Sequence, residues 1–274
     1  MKNIITVDLE DYYCCNLGEN DVSQHETTTV EKNTEELLNL FDKHHVKATF
    51  FVLGSVAEEF PELIRKISDK GHEIASHGYG HQLVYKQTPE EFRQDIRKAK
   101  KLTEDIIHKP VIGYRAPSWS IIEESKWALK ILEEEGFQYS SSIFPIHTFL
   151  YGIKDAPKVP NHPIVEKKKL KLWEIPPSSY NFLIKELGFS GGFYFRFFPL
   201  FVIKHIMRKK NKQNIPVICY IHPWEIDKNT PRLPLKGLDK IIHYYGIKGC
   251  YKKLDKLLGS FEFSNIESEI LNRK

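Results

Sequence analysis

The 274-residue sequence has no apolar run approaching the roughly 18 residues that a membrane-spanning helix needs. Its opening, Met1 to Asp8, lacks the apolar stretch of about 7–15 residues that marks a secretory leader, because a carboxylate arrives at position 8. Cysteine is scarce. Cys14, Cys15, Cys219 and Cys250 form no C-x-x-C pair and no zinc-finger spacing. Reduced thiols in a reducing compartment are therefore expected. An excess of one charge is also missing: 40 basic against 36 acidic residues leaves +4, too mild to argue for a nucleic-acid partner. There is no internal repeat, no low-complexity tract and no Gly/Ser linker. Together these absences predict a cytoplasmic globular protein of one large domain or two small ones.

What is present is an alternation of short apolar runs with helix-like stretches. Strands are expected at Asn3–Leu9, Lys47–Leu53, Glu73–Ser76, Val111–Tyr114, Phe137–Ser140, Lys171–Ile175 and Val217–Ile221. Helices are expected at Asn33–His44, Ala57–Asp69, Thr88–His108, Ile122–Glu135 and Pro199–Lys210, the third opened by the capping box Thr88-Pro89-Glu90-Glu91. Such alternation predicts βαβ units around a parallel sheet, and six or seven units in this length fit an α/β barrel. In that architecture chemistry sits at the carboxyl ends of the strands.

The reactive residues fall there. The first expected strand runs out into Asp8-Leu9-Glu10-Asp11, where alternation puts Asp8 and Glu10 on one face. The third runs out into His77-Gly78-Tyr79-Gly80-His81, a glycine-rich loop able to turn two imidazoles onto one ion. Two histidines and one acid would leave an open coordination position, the mark of a catalytic rather than a structural metal site. The segment is not H-E-x-x-H, because His77 comes one residue too late after His72-Glu73. The fourth strand leads to Arg115, able to grip a carboxylate bidentately. The last leads to His222-Pro223-Trp224, with a histidine suited to general acid chemistry near neutral pH.

In this order the segments TVDLEDYY, GHEIASHGYGH, GYRAPSWS, GFQYSSSIFP, SGGFYFRFFP and YIHPWEID resemble the polysaccharide deacetylase superfamily (NodB homology, carbohydrate esterase family 4), over nearly the whole chain. The likeness is closest to an exopolysaccharide-locus subfamily with an extra C-terminal segment. It implies a single domain over 1–274, with the subfamily's own segment from about 150 on. The implied fold is α/β, a distorted (β/α) barrel of about seven strands. The implied activity is metal-dependent removal of an N-acetyl group from a sugar by hydrolysis of a linear amide C–N bond.

Residue by residue, the resemblance makes Asp8 the catalytic base, His77 and His81 metal ligands, Arg115 the group orienting the base and His222 the general acid. Trp119 and Trp224 become walls of the site, joined by Tyr79 as a candidate substrate contact. Two departures stand out. The superfamily's adjacent aspartate pair is here Asp8-Leu9-Glu10, so the metal-binding acid is Glu10, or else Asp11. The subfamily's aspartate before the double serine is here Ser140. The implied ion is divalent, with zinc first and cobalt, nickel or iron also compatible with such donors.

Two other readings are carried forward, a metal-independent amidohydrolase of the same superfamily and a non-catalytic carbohydrate-binding protein. The expected partner is an N-acetylated sugar, lipid- or nucleotide-linked for a cytoplasmic enzyme of O-antigen or exopolysaccharide synthesis; relatives also suggest a homo-oligomer. Finally, the aromatic and aliphatic stretch Phe193–Ile206 precedes Arg208, Lys209, Lys210 and Lys212. It reads either as a core helix with a solvated basic end or as a helix at the inner, anionic face of a membrane.

Overall fold

The computed structural model describes residues 2–16, 28–146, 148, 151–182 and 185–272. Their contacts form two units, Met1–Ala48 with Gly188–Lys274, and Thr49–Leu187. The first unit begins with β1 (Asn3–Leu9), buried at every position, Asn3, Thr6 and Asp8 included, as in a strand covered on both faces. α1 (Val30–Lys43) follows, its apolar stripe of Leu37, Leu38, Leu40 and Phe41 turned inward.

In the second unit the chain runs through β2 (Thr49–Val52), α2 (Gly54–Glu59), α3 (Pro61–Asp69) and β3 (Glu73–Ser76). The sequence suggests one helix over Ala57–Asp69. The structure has two, because Pro61 lacks the N–H that would continue α2 and instead opens α3. α4 (Pro89–Ile107) starts as expected, with Thr88 and Glu91 exchanging capping hydrogen bonds. β4 (Gly113–Tyr114), α5 (Trp127–Glu134) and β5 (Tyr139–Ser140) come next. α5 begins later than the pattern predicts, since Glu123–Ser125 forms a 3₁₀ turn. The hairpin β6 (Ile164–Val165) and β7 (Lys168–Lys169) precedes β8 (Trp173–Glu174). β2, β3, β4, β5 and β8 pair in that order, all parallel. β9 (Ser179–Phe182) and β10 (Lys185–Gly188) form a separate pair.

Returning to the first unit, the chain forms α6 (Gly192–Phe197), α7 (Leu200–Lys212), β11 (Ile218–Ile221), α8 (Gly237–Tyr244), α9 (Ile247–Leu258) and β12 (Phe263–Ser264). β1 pairs in parallel with both β11 and β12. α7 turns Ile203, Ile206 and Met207 inward and leaves Phe201 exposed. No helix among the described residues is long and apolar enough to cross a membrane. As the barrel reading expects, Asp8 and Glu10 lie at the end of β1, His77 after β3, Arg115 after β4 and His222 after β11.

Candidate active site

In the first unit the site is built around His222. At the end of β1 the Glu10 amide donates to the Asp8 carbonyl at 3.0 Å, a tight three-residue turn common where strands stop. This turn and the extra methylene of glutamate bring Glu10 Oε1 to 3.5 Å from His222 Nε2, while Asp8 Oδ2 lies 3.8 Å from the same nitrogen. Asp11 is placed differently. Its carboxylate accepts from the Tyr12, Thr29 and Val30 amides and from the Thr28 and Thr29 hydroxyls, at 2.5 to 3.1 Å. It anchors the N-terminus of α1, where a negative charge meets the positive end of the helix dipole. Of the two acids open to metal binding in the sequence, Asp11 is committed to that helix end.

The other face of His222 is fixed by its own turn. Glu225 Oε2 accepts from the His222 backbone amide and faces the ring Nδ1, both at 3.0 Å. The Glu225 amide donates to the His222 carbonyl, closing the first turn of the short 3₁₀ helix Pro223–Ile226. The second Glu225 oxygen accepts from Arg196 Nε at 2.6 Å, and that pair is fully buried. The remaining Arg196 N–H groups donate to the carbonyls of Ile242, His243 and Tyr245 at the C-terminal end of α8. Trp224 stacks on His222 (ring centroids 5.5 Å apart) and on His243 (4.3 Å). Sequence reasoning missed Glu225 and Arg196, although a glutamate three residues after His222 was a readable cap signal.

These charges set the proton on His222. Burial alone would lower its pKa, but Glu225, Glu10 and Asp8 outweigh burial and raise it to about 9. For Glu225, burial would raise the pKa, yet His222 and Arg196 hold it down at about 2. In metal-free protein the His222 ring is therefore expected to stay protonated through neutral pH and to titrate near 9. The stability it contributes is full below its unfolded value near 6.5 and is lost as pH rises through 9. Ring NMR shifts check this: Glu225→Gln should move the titration downward, and an unmoved midpoint would remove Glu225 as its cause.

In the second unit, the segment after β3 is a loop, not a helix. Gly78 sits at φ +76°, where a side chain would be strained and its Cβ would come within 2.8 Å of Asp95 Oδ2. Asp95, from α4, accepts from the Tyr79 amide at 2.9 Å; burial raises its pKa, partly offset by the Tyr79 and Gly80 amides. The carbonyls of Gly78 and Tyr79 accept from the first amides of α2, at Gly54 and Ser55. Tyr79 itself bonds Glu58 through its hydroxyl, and Lys98 lies 3.4 Å above its ring.

His77 is buried, and its Nδ1 lies 2.8 Å from the Arg115 carbonyl. A carbonyl only accepts, so Nδ1 carries the proton and Nε2 keeps its lone pair. Such an arrangement fixes the tautomer of a metal-binding histidine. A ring nitrogen of His81 lies within 4.8 Å of one of His77, and the rings are 5.4 Å apart. His81 is held at φ +55°, an uncommon conformation for a non-glycine residue. The donor chemistry therefore fits a divalent ion.

Arg115 is fully buried after β4. Its guanidinium donates to the Ser141 carbonyl and hydroxyl at 3.3 and 3.0 Å and packs on Phe51 and Trp119. Trp119 and Ser118 both have positive φ, and the Trp119 ring packs edge-on against Phe144. Ser140 has Glu174 of β8 as its direct register partner. Glu174 is buried and accepts from the Ser142 and Ile143 amides at 2.8 Å; burial raises its pKa against those hydrogen bonds. The acid absent at position 140 is thus matched by one on the adjacent strand, a pairing that only the sheet register reveals.

A model of the polysaccharide deacetylase family matches residues 21–140, and one described as a domain of unknown function (DUF3473) matches residues 141–271. Residues 21–140 are thus similar to polysaccharide deacetylases. Similar proteins include the peptidoglycan deacetylase of Helicobacter pylori, 35% identical over 41% of this chain and 38% of the relative. The peptidoglycan-N-acetylglucosamine deacetylase of Bacillus cereus is 39% identical over 35% of each chain. The match thus spans little more than a third of either relative. Among solved structures, a Mycobacterium smegmatis protein designated a polysaccharide deacetylase aligns over 97% of this chain and 88% of that one, with TM-score 0.64 and 18% identity. The allantoinase Puue aligns over 95% and 85%, with TM-score 0.58 and 16% identity. These likenesses show the fold, which is the α/β, barrel-type fold expected from the sequence.

Proposed function

We propose that this chain is a metal-dependent sugar N-deacetylase acting on an N-acetylglucosamine-type residue of a glycan. The observation that carries the reading is the pairing of His222 with Asp8, a positively charged imidazole facing a carboxylate 3.8 Å away. Amide hydrolysis needs both functions, one group to take a proton from water and one to give a proton to the departing nitrogen. The names of the curated relatives support a glycan substrate, and the retained histidine pair favours a metal enzyme over a metal-independent amidohydrolase or a binding protein. The Puue likeness does not discriminate between these, because it concerns the fold alone.

In this reading, whose residue roles are those the family resemblance implies, His77, His81 and Glu10 hold the ion. A divalent ion there would lower the pKa of water towards neutrality and polarise the acetamide carbonyl. Asp8 takes the proton of the attacking water, and Arg115 orients Asp8. His222, held through Nδ1 by Glu225, gives its Nε2 proton to the sugar nitrogen. One C–O bond forms, the amide C–N bond breaks, and acetate and an amino sugar leave. Trp119 and Trp224 exclude water from the bound acetamide.

The test is acetate release from N-acetylglucosamine oligomers, peptidoglycan fragments, and nucleotide- and lipid-linked N-acetyl sugars, with metal supplied. Release from at least one class is expected, and which class responds identifies the carrier. Binding of these sugars without acetate, or no response to any of them, would overturn the reading.

A further inference from the structure

The sequence reads Phe193–Ile206, with the basic cluster after it, either as a core helix or as a helix at a membrane face; in the structure α7 turns Ile203, Ile206 and Met207 inward and leaves Phe201 exposed. Further outward apolar surface lies on other segments of the first unit. Seven large hydrophobic side chains are exposed among the described residues, and five of them belong to the first unit: Phe197, Phe201, Leu238, Ile241 and Tyr245. Phe201 is 74% exposed, Leu238 63% and Ile241 54%. On α8, Leu238 and Ile241 follow at i and i+3, on one side of the helix, and Tyr245 caps its C-terminal end. His243 is the buried side of that helix. α8 therefore inverts the usual pattern of a surface helix, which turns its apolar stripe to the core. Ring contacts join it to α6: Phe197 to Tyr245 at 5.7 Å, Phe193 to Tyr245 at 6.3 Å and Phe193 to Phe197 at 5.5 Å. The residue that caps α8 thus packs into the aromatic surface of α6.

The charge along these segments is predominantly basic. No aspartate or glutamate occurs between Glu186 and Glu225, while Lys204, Arg208, Lys209, Lys210 and Lys212 do; Arg196 is buried in its pair with Glu225 and adds nothing to the surface. On the α8 side Lys236, Lys240 and Lys248 are exposed, with Asp239 the sole acid from Lys228 to Lys248. A second copy of this chain would set one basic rim against another, an unfavourable match. An anionic bilayer offers apolar depth for the rings and negative headgroups for the lysines, the two signals that make interfacial binding stable.

We propose that the α6–α8 face is a docking surface for an anionic lipid bilayer. It requires nothing of the catalytic reading. The experiment is co-sedimentation of the full chain with vesicles of equal parts phosphatidylcholine and phosphatidylglycerol, and with pure phosphatidylcholine, at low and at physiological salt. Binding is expected on the anionic vesicles only, weakening as salt rises. The double variants Leu238→Ser/Ile241→Ser and Lys236→Glu/Lys240→Glu should each lower partitioning at least about tenfold, with melting temperatures close to that of the parent because these side chains are exposed. Sedimentation velocity of the same proteins reads the competing occupant. Failure of the parent to bind, equal binding by the variants, or a parent dimer that Leu238→Ser/Ile241→Ser dissociates without vesicle binding would each overturn the proposal.

Discussion

Replacing His222 with alanine is expected to reduce kcat for acetate release by roughly 10²–10⁴-fold, with a much smaller change in KM. The ring lies where only transition-state chemistry needs it. Nδ1 is tied to Glu225, so the proton that can leave is on Nε2, the nitrogen facing Asp8 and Glu10. Asp8→Asn should be as damaging, because the amide keeps the shape of the carboxylate and cannot take a proton. Both variants should fold, since the buried ion pair beneath His222 is untouched. Combining them should cost far less than the product of the single losses, as expected of groups that act in one step. Near-normal turnover in either folded variant would remove that residue from the mechanism.

The second large effect is on stability. Arg196→Met keeps side-chain volume but strips the buried Glu225 of one of its two cationic partners, leaving His222, and removes the Arg196 donors from the last carbonyls of α8. Breaking a buried pair from one side costs about 3–5 kcal/mol. In a chain of this size that corresponds to a melting temperature lower by on the order of 10 °C. Arg196→Met with Glu225→Gln should recover part of the loss, because the buried carboxylate that lost Arg196 is removed as well. The pH dependence has a definite sign. Glu225 is held at about 2, below its unfolded value near 4.3. Its stabilising contribution is therefore full above about pH 4 and lost as pH falls towards 2. A calorimetric midpoint unchanged by Arg196→Met would show that the pair contributes little.

Much of this was legible in the sequence because it is local. β1, β3 and α4 follow from apolar runs and one capping box, and the acid, histidine and arginine clusters lie at strand exits as a parallel α/β architecture requires. What escaped was set by packing. The split between α2 and α3 turns on Pro61. α6 and α8 were hidden, α6 as a short aromatic run and α8 because its apolar stripe faces outward. Asp11 looked like a second metal acid, but its role follows from its distance to α1, which spacing does not give. Glu174 opposite Ser140 and Arg196 beneath Glu225 are contacts between residues about 30 positions apart, which no local pattern encodes.

The central claim is that hydrolysis here depends on a bound divalent ion. The most direct measurement is metal content of untagged protein alongside acetate release, before chelation, after it, and after metal is restored. The account predicts about one ion per chain, activity lost with the ion and regained with it, and loss of the ion in His77→Ala and His81→Ala. Acetate release that persists at full rate in metal-free protein would contradict it.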